Sequence, residues 1–193
     1  EEVLGFYQDR LDRVAEATAG LAGGDRPSVL LIEYSVEEGT VAFSVPPAGW
    51  LQTTLVELAG GEAVWIEAAE GGGWTVVGLE QIAAWDPEQI YVVDYDGNSE
   101  GVVEELAADA NWQALSAVEA GRIYGFPGDF ISWDQPDTRW VLGLEWLFTK
   151  VQPDLAAGID VVSEARAFYE ELYSLDAATI EEEIIPRLFG SLP

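Results

Sequence analysis

The side chains with chemistry to offer are aromatic and acidic. Tyr34, Trp50, Tyr95, Phe130 and Trp133 fall in the stretches after Glu33, Val45, Val93 and Phe126, each of which follows a run that reads as a strand. Trp74 comes directly after Gly71, Gly72 and Gly73, so a large flat side chain stands on a loop with a permissive backbone. In an open parallel sheet the ligand sits outside the carboxyl ends of the strands. Aromatics gathered there would pave a cleft for a large, flat, partly apolar molecule. The glycines beside Trp74 and the proline near Trp133 place both indoles on surface loops. Trp50 and Tyr34 suit cleft or core equally. Trp140 and Trp146 recur at helical spacing and are expected in the core.

The acids are too many to single out a reacting pair. The chain of 193 residues carries 36 Asp and Glu against 8 Lys and Arg, a net charge of −28. A glycosidase-like acid/base pair is available by inventory, but with this many carboxylates such pairs arise by chance. There is no cysteine and no histidine, which removes thiolate metal sites, Ser-His-Asp and Cys-His catalysis, and the commonest transition-metal ligand. No metal site and no cofactor are expected. Asp94-Tyr-Asp96-Gly97-Asn98 superficially resembles a calcium loop, yet it lacks the third acidic position and the closing bidentate glutamate. Turn chemistry accounts for it. Arg139 has acids beside it and is expected to pair with one of them rather than with an anionic ligand. No Walker loop, dinucleotide fingerprint or nucleophile elbow is present.

So acidic a surface repels nucleic acid and anionic lipid. It serves solubility, or attraction to a basic partner or cationic ligand. No secretion signal and no apolar run long enough to span a bilayer appear, and the chain opens inside a helix, which reads as a piece of a larger protein.

The elements that would position these residues alternate between strand and helix. Residues 1–21 form an amphipathic helix with Val3, Phe6, Tyr7, Leu11 and Val14 on one stripe. Residues 28–33 read as a buried strand, 40–45 as an extended segment that pairs back across the turn at Glu37-Glu38-Gly39, and 64–66 as a short strand. A helix over about 50–59 is capped by Gly60-Gly61. Residues 79–85 form a short helix that Pro87 ends, and 90–93 a fully buried strand. A helix over 100–107, a helical segment over 111–120 and a strand over 122–126 follow. Helices over 137–150, 161–173 and 177–189 complete the chain. The fold class is α/β: a mainly parallel, Rossmann-like sheet flanked by helices, with an amino-terminal linker helix and carboxyl-terminal helices.

Several segments resemble one known family. Gly72-Gly73-Trp74 through Leu79-Glu80-Gln81-Ile82 and Trp85-Asp86-Pro87-Glu88-Gln89-Ile90 is similar to the second lobe of the periplasmic-binding proteins that serve ABC importers of siderophores, haem and vitamin B12. Pro46-Pro47-Ala48-Gly49-Trp50 with the helix after it resembles the first ligand loop of that lobe. Asn111-Trp112 to Gly121-Arg122-Ile123-Tyr124, Ser132-Trp133-Asp134-Gln135-Pro136 and Leu142 to Leu147 resemble later segments in the same order.

The resemblance implies a connecting helix over residues 1–22, an α/β ligand-binding lobe over 23–155, and carboxyl-terminal helices over 156–193. It places Trp74 on the same face as the other loop aromatics. It implies an extracytoplasmic substrate-binding protein, not an enzyme, that binds an iron-siderophore, haem or corrinoid and delivers it to an ABC permease. The amino-terminal lobe, absent here, would supply half the cleft. An acidic α/β enzyme using a carboxylate pair is the alternative. In the resembled family a glutamate at the place of Glu80 docks into permease arginines; Leu79 and Ile82 facing inward would turn Glu80 outward. The tail carries wide apolar stripes, including Val161, Phe168, Tyr169, Leu172, Ile180, Ile184 and Leu188. These helices are expected to pack on the lobe or on a partner, with part of the stripes exposed or covered by a second copy of the chain.

Overall fold

The computed structural model describes residues 2–69 and 71–192, without the side chain of Glu2. Helix α1 (Glu2–Thr18) leads into a sheet of six strands: β1 (Ser28–Glu37), β2 (Thr40–Val45), β3 (Glu62–Ala63), β4 (Thr75–Val77), β5 (Gln89–Val93) and β6 (Ile123–Gly125). Between and after them lie α2 (Leu51–Leu58), α3 (Leu79–Trp85), α4 (Ser99–Ala108), α5 (Ser116–Glu119), α6 (Trp140–Val151), α7 (Val161–Tyr173) and the single turn α8 (Ala177–Thr179).

The strand order is β4-β2-β1-β5-β6, with β3 pairing the start of β1. The β3–β1, β1–β5 and β5–β6 pairs are parallel, while β1–β2 and β2–β4 are antiparallel. The sheet is therefore mixed, with a parallel centre and an antiparallel edge. Every residue of β5 is buried, as expected of a strand covered on both faces. Among the helices, α4 and α5 pack on β5 or β6, α2 packs on β1, and α1, α2, α6 and α7 pack on one another. Trp146 of α6 meets Tyr91 of β5 edge to face, and Tyr91 in turn stacks on Tyr124 of β6.

Three departures from the sequence reading matter for the site. First, β1 does not stop at Glu33 but runs to Glu37, because the hairpin with β2 extends it through the pairs Tyr34–Phe43 to Glu37–Thr40. Second, Thr75–Val77 is a strand, pairing with Phe43–Val45. Third, Val64-Trp65-Ile66 is a turn after the shorter strand β3; Trp65 is buried there and donates its indole N–H to the Pro46 carbonyl at 2.8 Å.

The tail packs mainly on the lobe, and its stripes are only partly covered: Val162, Leu172, Ile185 and Leu188 are half-buried. Val161, Ala165, Phe168, Tyr169, Ile180 and Ile184 are buried within the chain itself. Phe168 meets Phe6 of α1 edge to face at 5.9 Å. The segment after Asp176 is not one helix but one α turn, a π-type turn over Ile180–Ile184 and a tight turn over Ile185–Arg187. Pro186 has no N–H to continue an α ladder. Phe189 then pairs with Gly128, whose missing Cβ would stand 2.3 Å from the Phe189 ring. Among the described residues of the tail Tyr173, at 44%, is the strongly exposed large apolar side chain, and the most buried part of the stripes lies against α1, α6 and the loop at Gly128.

Candidate ligand cleft

The cleft is assembled from separate loops. Pro46-Pro47 follows β2 and is fixed from both sides: the Pro47 carbonyl accepts from Trp50 N–H and from the Thr53 hydroxyl, each at 3.0 Å. That leaves Trp50 as the cap residue of α2, half-buried, with its ring at the mouth. Strand β4 lies antiparallel to β2 with Thr75 opposite Val45, so the residue before it, Trp74, is delivered beside the Pro46 loop. The two indoles meet edge to face at 5.8 Å and 84°. Tyr95, two residues beyond β5, meets Trp74 at 6.4 Å and 67°.

These three rings, with Gly49, Leu51, Gln52, Gln135 and Pro136, line an open cavity of about 530 Å³. Beneath it lies Asp134, with no exposed surface. One of its oxygens accepts from Tyr95 Oη at 2.8 Å and from Gln52 Nε2 at 3.0 Å. Its other oxygen, Oδ1, has no hydrogen-bond partner. Burial first, and then the charge and hydrogen bond of Asp134, push the Tyr95 hydroxyl well above its ordinary value, and Glu33 adds to this from the end of β1. Tyr95 therefore stays a neutral donor at any physiological pH.

Asp134 is held there by close backbone packing. Gly143 of α6 touches the loop at Trp133; a Cβ at Gly143 would sit 2.5 Å from the Trp133 carbonyl oxygen. Only glycine allows that approach. The same packing buries Trp133 completely, with its indole N–H donating to Asp129 at 3.2 Å. Trp133 is thus a core residue and not a cleft wall. The proline signal failed because this loop lies under the tail and on α6 instead of in water.

Phe130 is exposed but lies against the Arg187 guanidinium at 5.3 Å and does not line the cavity. Tyr34 is also elsewhere: as a strand residue it packs on Phe43, which in turn packs on Trp112, and it faces a separate depression beside α4. Of the six aromatics singled out in the sequence, the structure brings together Trp50, Trp74 and Tyr95. Gln52 and Asp134 were missed. Their signal was weak: a polar residue in the first turn of α2 beside Trp50, and an acid between a tryptophan and a proline.

Other groups resolve plainly. The Asp94 carboxylate accepts from the backbone N–H groups of Asp96 and Asn98 at 3.2 and 2.8 Å, so turn chemistry occupies it. Arg139 pairs with Asp129 at 2.9 Å and Asp137 at 3.0 Å. No cluster of three or more carboxylates among the described residues is placed to hold a metal ion. No helix among them is long and apolar enough to cross a membrane. Glu80 stands exposed in the first turn of α3 and does not line the aromatic cleft, while Ile82 of that helix is buried. The carboxylates that do approach each other, Glu145 and Glu164, are bracketed by Arg10 and Arg13 at 2.6–3.5 Å away from the cleft.

A family model described as "Periplasmic binding protein" matches residues 1–130. The chain belongs to the periplasmic binding protein family. Solved structures agree in fold. An ABC transporter solute-binding protein from Sulfurospirillum deleyianum is 22% identical with a TM-score of 0.75, over 93% of this chain and 54% of that one. A periplasmic solute-binding protein from Veillonella parvula is 22% identical with a TM-score of 0.72, over 94% and 54%. The molybdate-bound periplasmic binding protein MolA of Haemophilus influenzae is 19% identical with a TM-score of 0.71, over 91% and 50%. The chain thus spans about half the length of these relatives, as the resemblance to a single lobe implied. The search of curated proteins found no match. These solved relatives are solute-binding proteins, not enzymes, and periplasmic binding proteins work outside the cytoplasm and hand small molecules to ABC permeases.

Proposed function

We propose that this chain is one lobe of an extracytoplasmic substrate-binding protein that holds a bulky metal chelate of the iron-siderophore, haem or corrinoid type. It delivers that chelate to an ABC permease. The observation that carries the reading is the convergence of Trp50, Trp74 and Tyr95, from three separate loops, on one open cavity. Open aromatic walls suit a large, flat, partly apolar ligand and leave its far side for a second lobe. Alone, this lobe makes only half the contacts and binds weakly.

Glu80 serves the permease. It projects from a helix whose buried Ile82 fixes the orientation, and an exposed carboxylate on a rigid element suits bidentate pairing with arginine. Tryptophan fluorescence titration with corrinoids, haem and ferric siderophores, on the chain alone and joined to an amino-terminal lobe, tests the reading. Weak binding alone and tight binding in the two-lobed protein are expected. Micromolar or tighter binding by the lone chain would overturn the half-site; no binding by either form would overturn the ligand class.

A further inference from the structure

The charges around the cleft are one-sided. The whole chain has 8 basic side chains, and none lines the cavity. Arg10 and Arg13 bracket Glu145 and Glu164, and Arg139 lies between Asp129 and Asp137. Arg166 and Arg187 pair with Glu181 and Glu183. Arg26 and Arg122 donate to the backbone carbonyls of Glu57 and Glu88, and Lys150 lies over the Tyr124 ring. Every base is engaged away from the cleft. An anionic ligand would therefore meet no cation there, only Tyr95, the two glutamines and the buried Asp134 behind them.

The rings complete the picture. Trp50, Trp74 and Tyr95 stand at 84° and 67° to their neighbours, so they offer faces and edges at a corner rather than one parallel slot. A ring face carries the negative end of the aromatic quadrupole and attracts a weakly hydrated cation. Asp134 adds a carboxylate behind Tyr95 with one oxygen unpartnered, and Glu33 acts on Tyr95 from the strand end.

Resting on the reading of this cavity as the ligand face, we infer that the cleft selects a bulky, weakly hydrated cation and rejects anions. Its ligand is a chelate or organic molecule that turns positive charge toward Trp50, Trp74 and Tyr95. A chelate bristling with carboxylates is the wrong class. The two sources of such a charge, a flat cationic ring system and a compact quaternary ammonium, share this chemistry.

The test compares N-methylquinolinium, 2-naphthoate and tetraethylammonium, followed through the indole N–H signals of the protein. The first two share a flat two-ring body and differ in charge. The −28 surface would draw in any cation at low salt, so the titrations are run at about 1 M salt, where the screening length is about 3 Å. N-Methylquinolinium is expected to bind about tenfold more tightly than 2-naphthoate, shifting the Trp50 and Trp74 signals. Tetraethylammonium binding as well assigns a compact ammonium ligand; its failure beside N-methylquinolinium assigns a flat cation. Asp134→Asn should shrink the preference for the cation, and Trp74→Leu, which keeps an apolar side chain at this half-buried position, should weaken N-methylquinolinium severalfold. Equal or tighter binding of 2-naphthoate overturns the charge inference and leaves the cleft standing. Absence of any shift at Trp50 and Trp74 with all three overturns the cleft itself.

Discussion

Two regions of this lobe treat charge in opposite ways. Between α1, α6 and α7, Arg10 and Arg13 meet Glu145 and Glu164 in a closed cluster. At the cleft, Asp134 is equally buried, yet its hydrogen-bond partners among the described residues are the neutral Tyr95 and Gln52. The first arrangement ties a helix to the lobe; the second leaves a negative field facing an open cavity. Burying a carboxylate without a counter-cation costs stability. A position that bears this cost beside an open aromatic surface is where a ligand would repay it.

The closed cluster is the place for the largest effect. Arg10→Ala strips Glu145 and Glu164 of a nearly buried partner and should cost about 3 kcal/mol, read from urea denaturation. A loss below about 0.5 kcal/mol would mean that the pairs hold nothing.

The next effect is a pH dependence. Burial, then the charge of Glu164, hold Glu145 at about 7, against an ordinary value of 4.5, although Arg13 and Arg10 pull it down. The arginines lie at 3.2 and 3.5 Å, but neither Glu145 oxygen has a hydrogen bond. The folded chain thus keeps a proton that the unfolded chain gives up above 4.5. Stability from this group is full below about 4.5 and is lost as pH rises towards about 7. The whole swing is at most about 3 kcal/mol. Asp137 and Asp86, held low by hydrogen bonds to Arg139 and Ser116, slope the other way at more acid pH. The Glu145 share is therefore read as the difference between wild type and Glu145→Gln across pH 5 to 7, the window set by the Glu145 shift. Identical slopes in the two proteins would contradict it.

At the cleft the order of effects reverses, with function moving more than stability. Trp74→Ala removes the two ring contacts of a half-buried indole and should cost about 1 kcal/mol of stability. It should weaken ligand binding by the two-lobed protein by about tenfold. A large loss of stability would reassign Trp74 to the core. The smallest effect on the lobe itself is expected from Glu80→Gln, with unchanged folding and ligand affinity. In a reconstituted transporter it should reduce permease binding, by about 2 kcal/mol if the pair with arginine is desolvated. Normal transport by that variant would remove the docking role.

Much of the lobe was legible in its sequence because local patterns suffice for it. The buried run at residues 90–93, the stop at Pro87 and the helices α1, α2, α4, α6 and α7 follow from periodicity and breakers, which act over a few residues. The absence of histidine and cysteine and the lack of bases are facts of composition, and they bound the chemistry before any fold is known. Trp74 on its glycine loop was legible too. What tertiary structure alone decided is which aromatics meet. Tyr34 left the cleft because hairpin pairing carried β1 past Glu33. Trp133 left it because Gly143 lets the loop settle on α6, and Phe189 covers that loop at Gly128. Trp74 reached Trp50 because β4, three β-branched residues too short to read as a strand alone, pairs with β2. Each of these rests on contacts between residues far apart in sequence, where backbone pairing and close packing, and not the local pattern, set the energy.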